Sequence, residues 1–164
     1  MWRIETLAEQ PGRDEFDCGD IEINEWLQLY ARQSDRRNQT LTRVALHPDD
    51  GRIVGYYATK AYQLEGAELR AALGGRAKYP VPCMLIVKLG SCLSVRGEGV
   101  GELLLLHALR SSVSVSESMG LQFAVVHSKN ERSTSFYAKY GFAQFVDHPN
   151  HLLIPTRTLR KLFK

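Results

Sequence analysis

Cys83–Leu89 is a nearly unbroken apolar run, interrupted only by Lys88. Such a run reads as a central strand buried on both faces. Tyr79-Pro80-Val81-Pro82 precedes it and cannot continue a helix, because a proline pushes its predecessor out of the helical region. The chain therefore enters the strand already extended. A strand covered on both sides needs helices packed above and below its sheet, and the remaining sequence supplies them.

Residues 2–7 are predicted to form a first strand. Asp20 is the predicted N-cap of an amphipathic helix in which Ile23, Trp26, Leu27 and Tyr30 recur at helical spacing. Thr40–Leu46 and Arg52–Tyr62 read as a hairpin around the turn His47-Pro48-Asp49-Asp50-Gly51. Residues 66–75 suit a short helix ended by glycine. Glu102–Met119 reads as a long helix with Gly120 at its end, and Gln122–His127 as a second buried strand. Asn130–Tyr140 is a predicted helix closed by Gly141. Phe142–Val146 and Leu152–Pro155 are the last expected strands, and Thr156–Phe163 reads as a basic tail. No repeat or linker divides the chain. The expectation is one domain over residues 1–164, of α/β (α+β) class, with helices on both faces of the sheet.

With 44% apolar and 24% charged residues, a chain of 164 residues can bury a core without disulfides or metal. No apolar run approaches the roughly 20 residues of a membrane helix. Met1-Trp2-Arg3-Ile4-Glu5 lacks a signal-peptide core, so a cytoplasmic location and no membrane association are expected. Cys18, Cys83 and Cys92 do not pair at ligand spacing. They read as reduced thiols in or near the core, and no metal is expected. A thiol nucleophile at Cys92 would need an activating base, and its sequence neighbours offer none. The net charge is +3. Basic residues group at Arg32, Arg36, Arg37 and Arg43, and again at Arg157, Arg160, Lys161 and Lys164, as solvated faces or as phosphate contacts.

Between the central strand and the long helix lies Arg96-Gly97-Glu98-Gly99-Val100-Gly101. Glycines let the backbone turn sharply and approach a ligand closely. The first N–H groups of the following helix lack internal partners and, with the helix dipole, favour phosphate. The spacing is neither the G-x-G-x-x-G of dinucleotide folds nor a Walker A loop, which needs Gly-Lys-Ser/Thr. Taken alone, the segment is equally a tight turn or a diphosphate site.

A second segment changes that balance. Arg96-x-x-Gly99-x-Gly101 resembles the acetyl-CoA signature of the GNAT superfamily. Downstream, Asn130-x-x-Ser133-x-x-Phe136-Tyr137-x-x-x-Gly141-Phe142 is similar to the other half of the GNAT core. More narrowly, Phe16-Asp17-Cys18-Gly19 with Asn24-Glu25-Trp26-Leu27, then Val54-Gly55-Tyr56-Tyr57 and Pro80-Val81-Pro82, resemble the acetyltransferase toxins of bacterial type II toxin–antitoxin modules.

The resemblance implies a mixed sheet splayed between two parallel strands, here Cys83–Leu89 and Gln122–His127, with acetyl-CoA in the cleft. It implies pantetheine pairing with the backbone of Leu89, Gly90 and Ser91, in the manner of an added strand. It places the pyrophosphate on Arg96, Gly97, Glu98, Gly99, Val100 and Gly101, with Asn130, Ser133 and Phe136 beside the cofactor. Relatives tend to carry Ala-Val-Asp where this chain has Gly90-Ser91-Cys92, and Arg where it has Lys88. Gly90 is expected to mark a bulge.

The implied reaction is attack of a neutral amine on a thioester, with protonation of the departing thiolate. A phenol, with pKa about 10, is matched to that task, and the motif assigns it to Tyr137. Tyr140, one turn later, is the alternative donor, with packing its expected role. His127, at the end of the second strand, is a minor candidate for a base; His107 is expected to pack or face solvent, and Glu98 to be solvated. An α-amine titrates near pH ~7.7 to 8.0 and needs no dedicated base, whereas lysine at about 10.4 does. The toxin resemblance accordingly implies acetylation of the α-amine of aminoacyl-tRNA, which blocks translation. Arg36, Arg37, Arg76, Lys78, Arg157 and Arg160 are candidates for the tRNA backbone. It further implies a ribbon-helix-helix antitoxin as partner, and a homodimer. The competing readings are a GNAT enzyme for a small-molecule or protein amine, and a CoA-binding module without turnover.

Overall fold

The apolar run becomes the middle of a longer strand in the structure, a computed structural model that describes residues 1–163. Its strands are β1 (Arg3–Thr6), β2 (Leu41–Leu46), β3 (Ile53–Leu64), β4 (Val81–Ser91), β5 (Phe123–His127), β6 (Ala143–Phe145) and β7 (His148–Pro155). They form one mixed seven-stranded sheet in the order β1-β2-β3-β4-β5-β7-β6. The helices are α1 (Ile21–Glu25), α2 (Ala31–Arg36), α3 (Gly66–Leu73), α4 (Val100–Ser116), α5 (Glu131–Lys139) and α6 (Thr156–Leu162). Cys83 to Ile86 pair in parallel with Phe123 to Val126, and β4 runs on to Ser91 beyond the last of these pairs. Burial follows the same division: Cys83–Ile86 are buried, while Val87–Ser91 are half-buried.

The chain divides into two compact units, Met1–Lys60 with Val87–Ala108, and Ala61–Ile86 with Leu109–Lys164. In the first, Asp20 caps α1 as expected, its carboxylate accepting from Glu22 N at 3.0 Å and Ile23 N at 3.3 Å. The single amphipathic helix expected here is instead two α-helices joined by a π-helical turn, Trp26–Tyr30. A π turn adds a residue per turn and rotates the helix beyond it, so the buried stripe is not the regular one. Leu27 and Ala31 are buried, whereas Tyr30 is 54% exposed. Beneath this helix pair, Tyr56 stacks on Trp26 and meets the edge of Phe16, and its hydroxyl donates to Ile23 O at 2.6 Å. Asp35 on α2 holds the start of β2, accepting from Thr42 N at 3.0 Å and Thr42 Oγ1 at 2.9 Å.

In the second unit, Gly74 at φ +93° ends α3 and Gly141 at φ +100° follows α5. Both are left-handed positions that glycine adopts without steric cost. The expected basic tail is a correction: Thr156–Leu162 is helix α6. Thr156 and Leu159 bury themselves on this helix. Arg160 turns to Ser116, bonding its carbonyl and hydroxyl at 3.3 Å each. Lys164 lies outside the described residues.

Gly55 shows how closely the first unit packs. A Cβ there would stand 2.8 Å from Leu104 Cδ1 and 2.9 Å from Val100 Cγ1. Gly55→Ala is expected to lower the unfolding free energy by about 1–3 kcal/mol through overpacking. Urea titration followed by circular dichroism measures it.

Candidate active site

Cys92 leaves β4 and the chain passes through a 3₁₀ turn, Leu93–Val95, before the glycine segment. Arg96, Gly97, Glu98 and Gly99 are exposed, and Val100, the first residue of α4, is buried. Gly97 and Gly99 take φ +84° and +81°, and a Cβ on either would meet nothing within 4 Å. Their glycines are therefore set by backbone angle, and the space they leave is open. Helix geometry leaves the N–H groups of the first turn of α4 without intrahelical partners. An exposed positive-φ turn running into a helix N-terminus fits a diphosphate.

The loop is anchored at its entry. Cys92 N donates to Val54 O at 2.7 Å and Leu93 N to Asp17 O at 2.9 Å. Asp17 is itself fixed: its carboxylate accepts from Gly19 N at 2.9 Å and from Asn24 Nδ2 at 3.1 Å. These two bonds hold its carboxyl below the ordinary carboxylate range. Asn24 Oδ1 in turn accepts from Cys18 N at 2.9 Å. The opening motif is thus a clasp around the start of α1.

Gly90 is a place of close approach. A Cβ there would stand 2.9 Å from Ile23 Cγ2 and 3.2 Å from Cys18 Sγ. The residue is needed because α1 crosses β4 here, a different reason from the expected bulge. Lys88 pairs with Glu22 of the same helix at 3.2 Å. Leu89 and Ser91 are half-buried.

In the second unit, Asn130 caps α5, its Oδ1 accepting from Ser133 N at 2.9 Å. Tyr137 is only 7% exposed and packs edge-on against Phe136 and Phe142. Burial pushes its phenol above the ordinary tyrosine range, so it holds its proton at neutral pH. Tyr140 packs on Phe136 and lies under Lys139, in keeping with a packing role.

Both histidines considered as bases are engaged. His107 Nδ1 lies 2.7 Å from Tyr57 Oη. His127 Nε2 lies 2.9 Å from Glu68 Oε2, and its ring stacks on His151. Burial, followed by the neighbouring His127 and His148, lowers the pKa of His151 to about 4. The thiols are not activated: burial pushes Cys18 and Cys92 up and Cys83 to about 11. Arg36, Arg37, Arg76, Lys78, Arg157 and Arg160 are all exposed.

Residues 3–142 match the Acetyltransferase (GNAT) family. The chain belongs to the GNAT family. This acetyltransferase is 26% identical over 147 residues to a tRNA-acetylating toxin of Mycobacterium tuberculosis (strain ATCC 25618 / H37Rv), covering 90% of this chain and 87% of that one. It is 23% identical over 159 residues to a probable toxin TacT of Sinorhizobium fredii (strain NBRC 101917 / NGR234), covering 92% and 88%. Among solved structures, AtaT complexed with acetyl-methionyl-tRNAfMet superposes with a TM-score of 0.87 at 25% identity, over 100% of each chain.

Two features of the acetyltransferase escape a reading of its sequence. One is the clasp of Asp17 and Asn24, whose residues are visible as a motif while their hydrogen-bonding role is not. The other is the cluster of Glu68, His127 and His151, which only the sheet brings together.

The cap at Asn130 gives this residue a structural duty apart from any ligand. Asn130→Ala is expected to cost about 1 kcal/mol of stability, and Asn130→Asp to retain most of it. Chemical denaturation of the two variants checks this.

Proposed function

We propose that this acetyltransferase transfers acetyl from acetyl-CoA to the α-amine of aminoacyl-tRNA and acts as the toxin of a type II toxin–antitoxin module. The observation that carries the reading is the buried, protonated phenol of Tyr137, set in the Asn-Ser-Phe-Tyr helix of a GNAT chain whose relatives include a tRNA-acetylating toxin.

Bound acetyl-CoA supplies the acetyl group as an activated thioester. In the first unit, Arg96, Gly97, Glu98, Gly99, Val100 and Gly101 take the pyrophosphate with backbone N–H groups and the Arg96 cation. Leu89, Gly90 and Ser91 offer backbone to the pantetheine arm. In the second unit, Asn130, Ser133 and Phe136 lie beside the cofactor, and Tyr137 Oη gives its proton to the leaving sulfur. No free histidine base is required when the acceptor is an α-amine, of which a useful fraction is neutral at pH 7. The hydrogen bonds of His107 to Tyr57 and of His127 to Glu68 favour that acceptor over a lysine amine. Arg36, Arg37, Arg76, Lys78, Arg157 and Arg160 contribute exposed positive charge for a tRNA backbone. A ribbon-helix-helix antitoxin, a homodimer and a cytoplasmic setting belong to the same proposal.

Expression of the chain alone in a bacterium is expected to arrest growth, and Tyr137→Phe to relieve the arrest. In vitro, Tyr137→Phe should slow acetyl transfer to charged tRNA by about 10²-fold or more, with acetyl-CoA binding kept. Transfer to free amines but not to charged tRNA would favour the small-amine enzyme. In a separate measurement, raising salt from about 50 to 200 mM should weaken tRNA binding steeply, and Arg157→Glu with Arg76→Glu should flatten that dependence.

A further inference from the structure

We infer that Glu68, His127 and His151 form a binding site for a borderline divalent transition ion such as Zn²⁺, because three elements bring one ligand atom from each within 4.8 Å of the others. His127 is the last residue of β5, and His151 is its direct partner across the antiparallel β5–β7 pair. Cross-strand partners present their side chains on the same face of a sheet. Glu68 reaches the same point from α3, its Oε2 2.9 Å from His127 Nε2. Donors bound to tetrahedral zinc at roughly 2.0–2.2 Å stand a little over 3 Å apart, so this contact is already close to one edge of such a site.

The donors select the ion. Two imidazoles and one carboxylate suit zinc and its neighbours, whereas Ca²⁺ and Mg²⁺ require oxygen-rich sites. All three residues are half-buried, which leaves a path from solvent. His151 supplies the second observation: its Nδ1 is buried and without a hydrogen-bond partner. An orphaned buried nitrogen is unfavourable, and an ion in this pocket relieves it by re-orienting the ring. The rings of His127 and His151 stack at 4.0 Å and 23°, so their lone pairs run side by side, and binding turns at least one ring out of the stack. His148, stacked on His151 at 3.6 Å, is the nearest further donor. Around the carboxylate, the Tyr62 hydroxyl donates to Glu68 Oε1 and orients it, as outer partners of metal ligands do.

Such an ion would tie α3 to the β5–β7 pair. Ser128, which follows His127, donates its N–H to Asn150 O at 2.8 Å, immediately before the helix that carries Tyr137. Occupancy would therefore register as stability of this unit, and the inference does not depend on the identity of the acetyl acceptor.

The untagged full chain, stripped with chelator, is titrated with ZnCl₂ by calorimetry and its thermal unfolding is followed. One Zn²⁺ per chain is expected, with a rise in melting temperature and no response to MgCl₂ or CaCl₂. His151→Phe keeps a ring against Phe145 and removes both nitrogens; with Glu68→Gln, it should weaken zinc binding at least about tenfold, and Tyr62→Phe by about 10-fold. His47→Ala should leave binding unchanged. Should circular dichroism show His151→Phe unfolded, Glu68→Gln decides. Absence of zinc binding by the native chain leaves only an ion pair between His127 and Glu68 and overturns the proposal. So does binding that survives both ligand variants, or that Mg²⁺ reproduces.

Discussion

Two backbone hydrogen bonds set the entry to the glycine segment: Cys92 N to Val54 O and Leu93 N to Asp17 O. Gly97 and Gly99 carry no side chain and would have nothing within 4 Å of a Cβ, so packing does not shape the turn. Its conformation depends on the two ends, the anchored Cys92–Leu93 step and the buried Val100 that opens α4. A backbone hydrogen bond is worth about 0.5–1.5 kcal/mol net, enough in pairs to hold a loop in one of several accessible shapes. The Asp17–Asn24 clasp matters for this reason: it fixes the carbonyl that receives Leu93 N. A motif at the front of the chain thereby positions an anion-binding turn more than seventy residues later.

The elements legible in the sequence are those whose cause is local. The apolar run made β4 visible, Asp20 and Asn130 act as the caps their positions announced, and Gly141 closes α5 in the left-handed conformation. Elements missed by the sequence have tertiary causes. Thr156–Leu162 looked like a tail because its composition is basic, yet Thr156 and Leu159 bury against the unit and stabilise a helix. The π turn at Trp26–Tyr30 leaves no mark in hydrophobic spacing. The site divides in the same way. The glycine segment and Tyr137 are readable as motifs, while the meeting of Glu68, His127 and His151 requires the β5–β7 register.

Burial works on the phenol and on the thiols alike. It keeps Tyr137 and Cys92 protonated at neutral pH. For a thiol that state is inert, since the thiolate is the nucleophile. For a phenol asked to give up a proton it is the competent state. The same low-dielectric surroundings therefore sort these groups into roles, and no cysteine competes with the amine for the acetyl group. With the histidines held by Tyr57 and Glu68, the chemistry rests on the acceptor arriving neutral.

The π turn also acts as a spacer of fixed length. Ala31 N bonds back to Trp26 O, five residues away, so one extra residue is stored in the helix. Removing one residue there would restore an ordinary α-helix and swing everything after it by about 100°. Asp35 would then leave Thr40 and Thr42, and the strand that begins at Leu41 would lose its tether. The helix and the strand are thus in step only by virtue of an inserted residue, and a deletion that looks conservative in an alignment would put them out of phase.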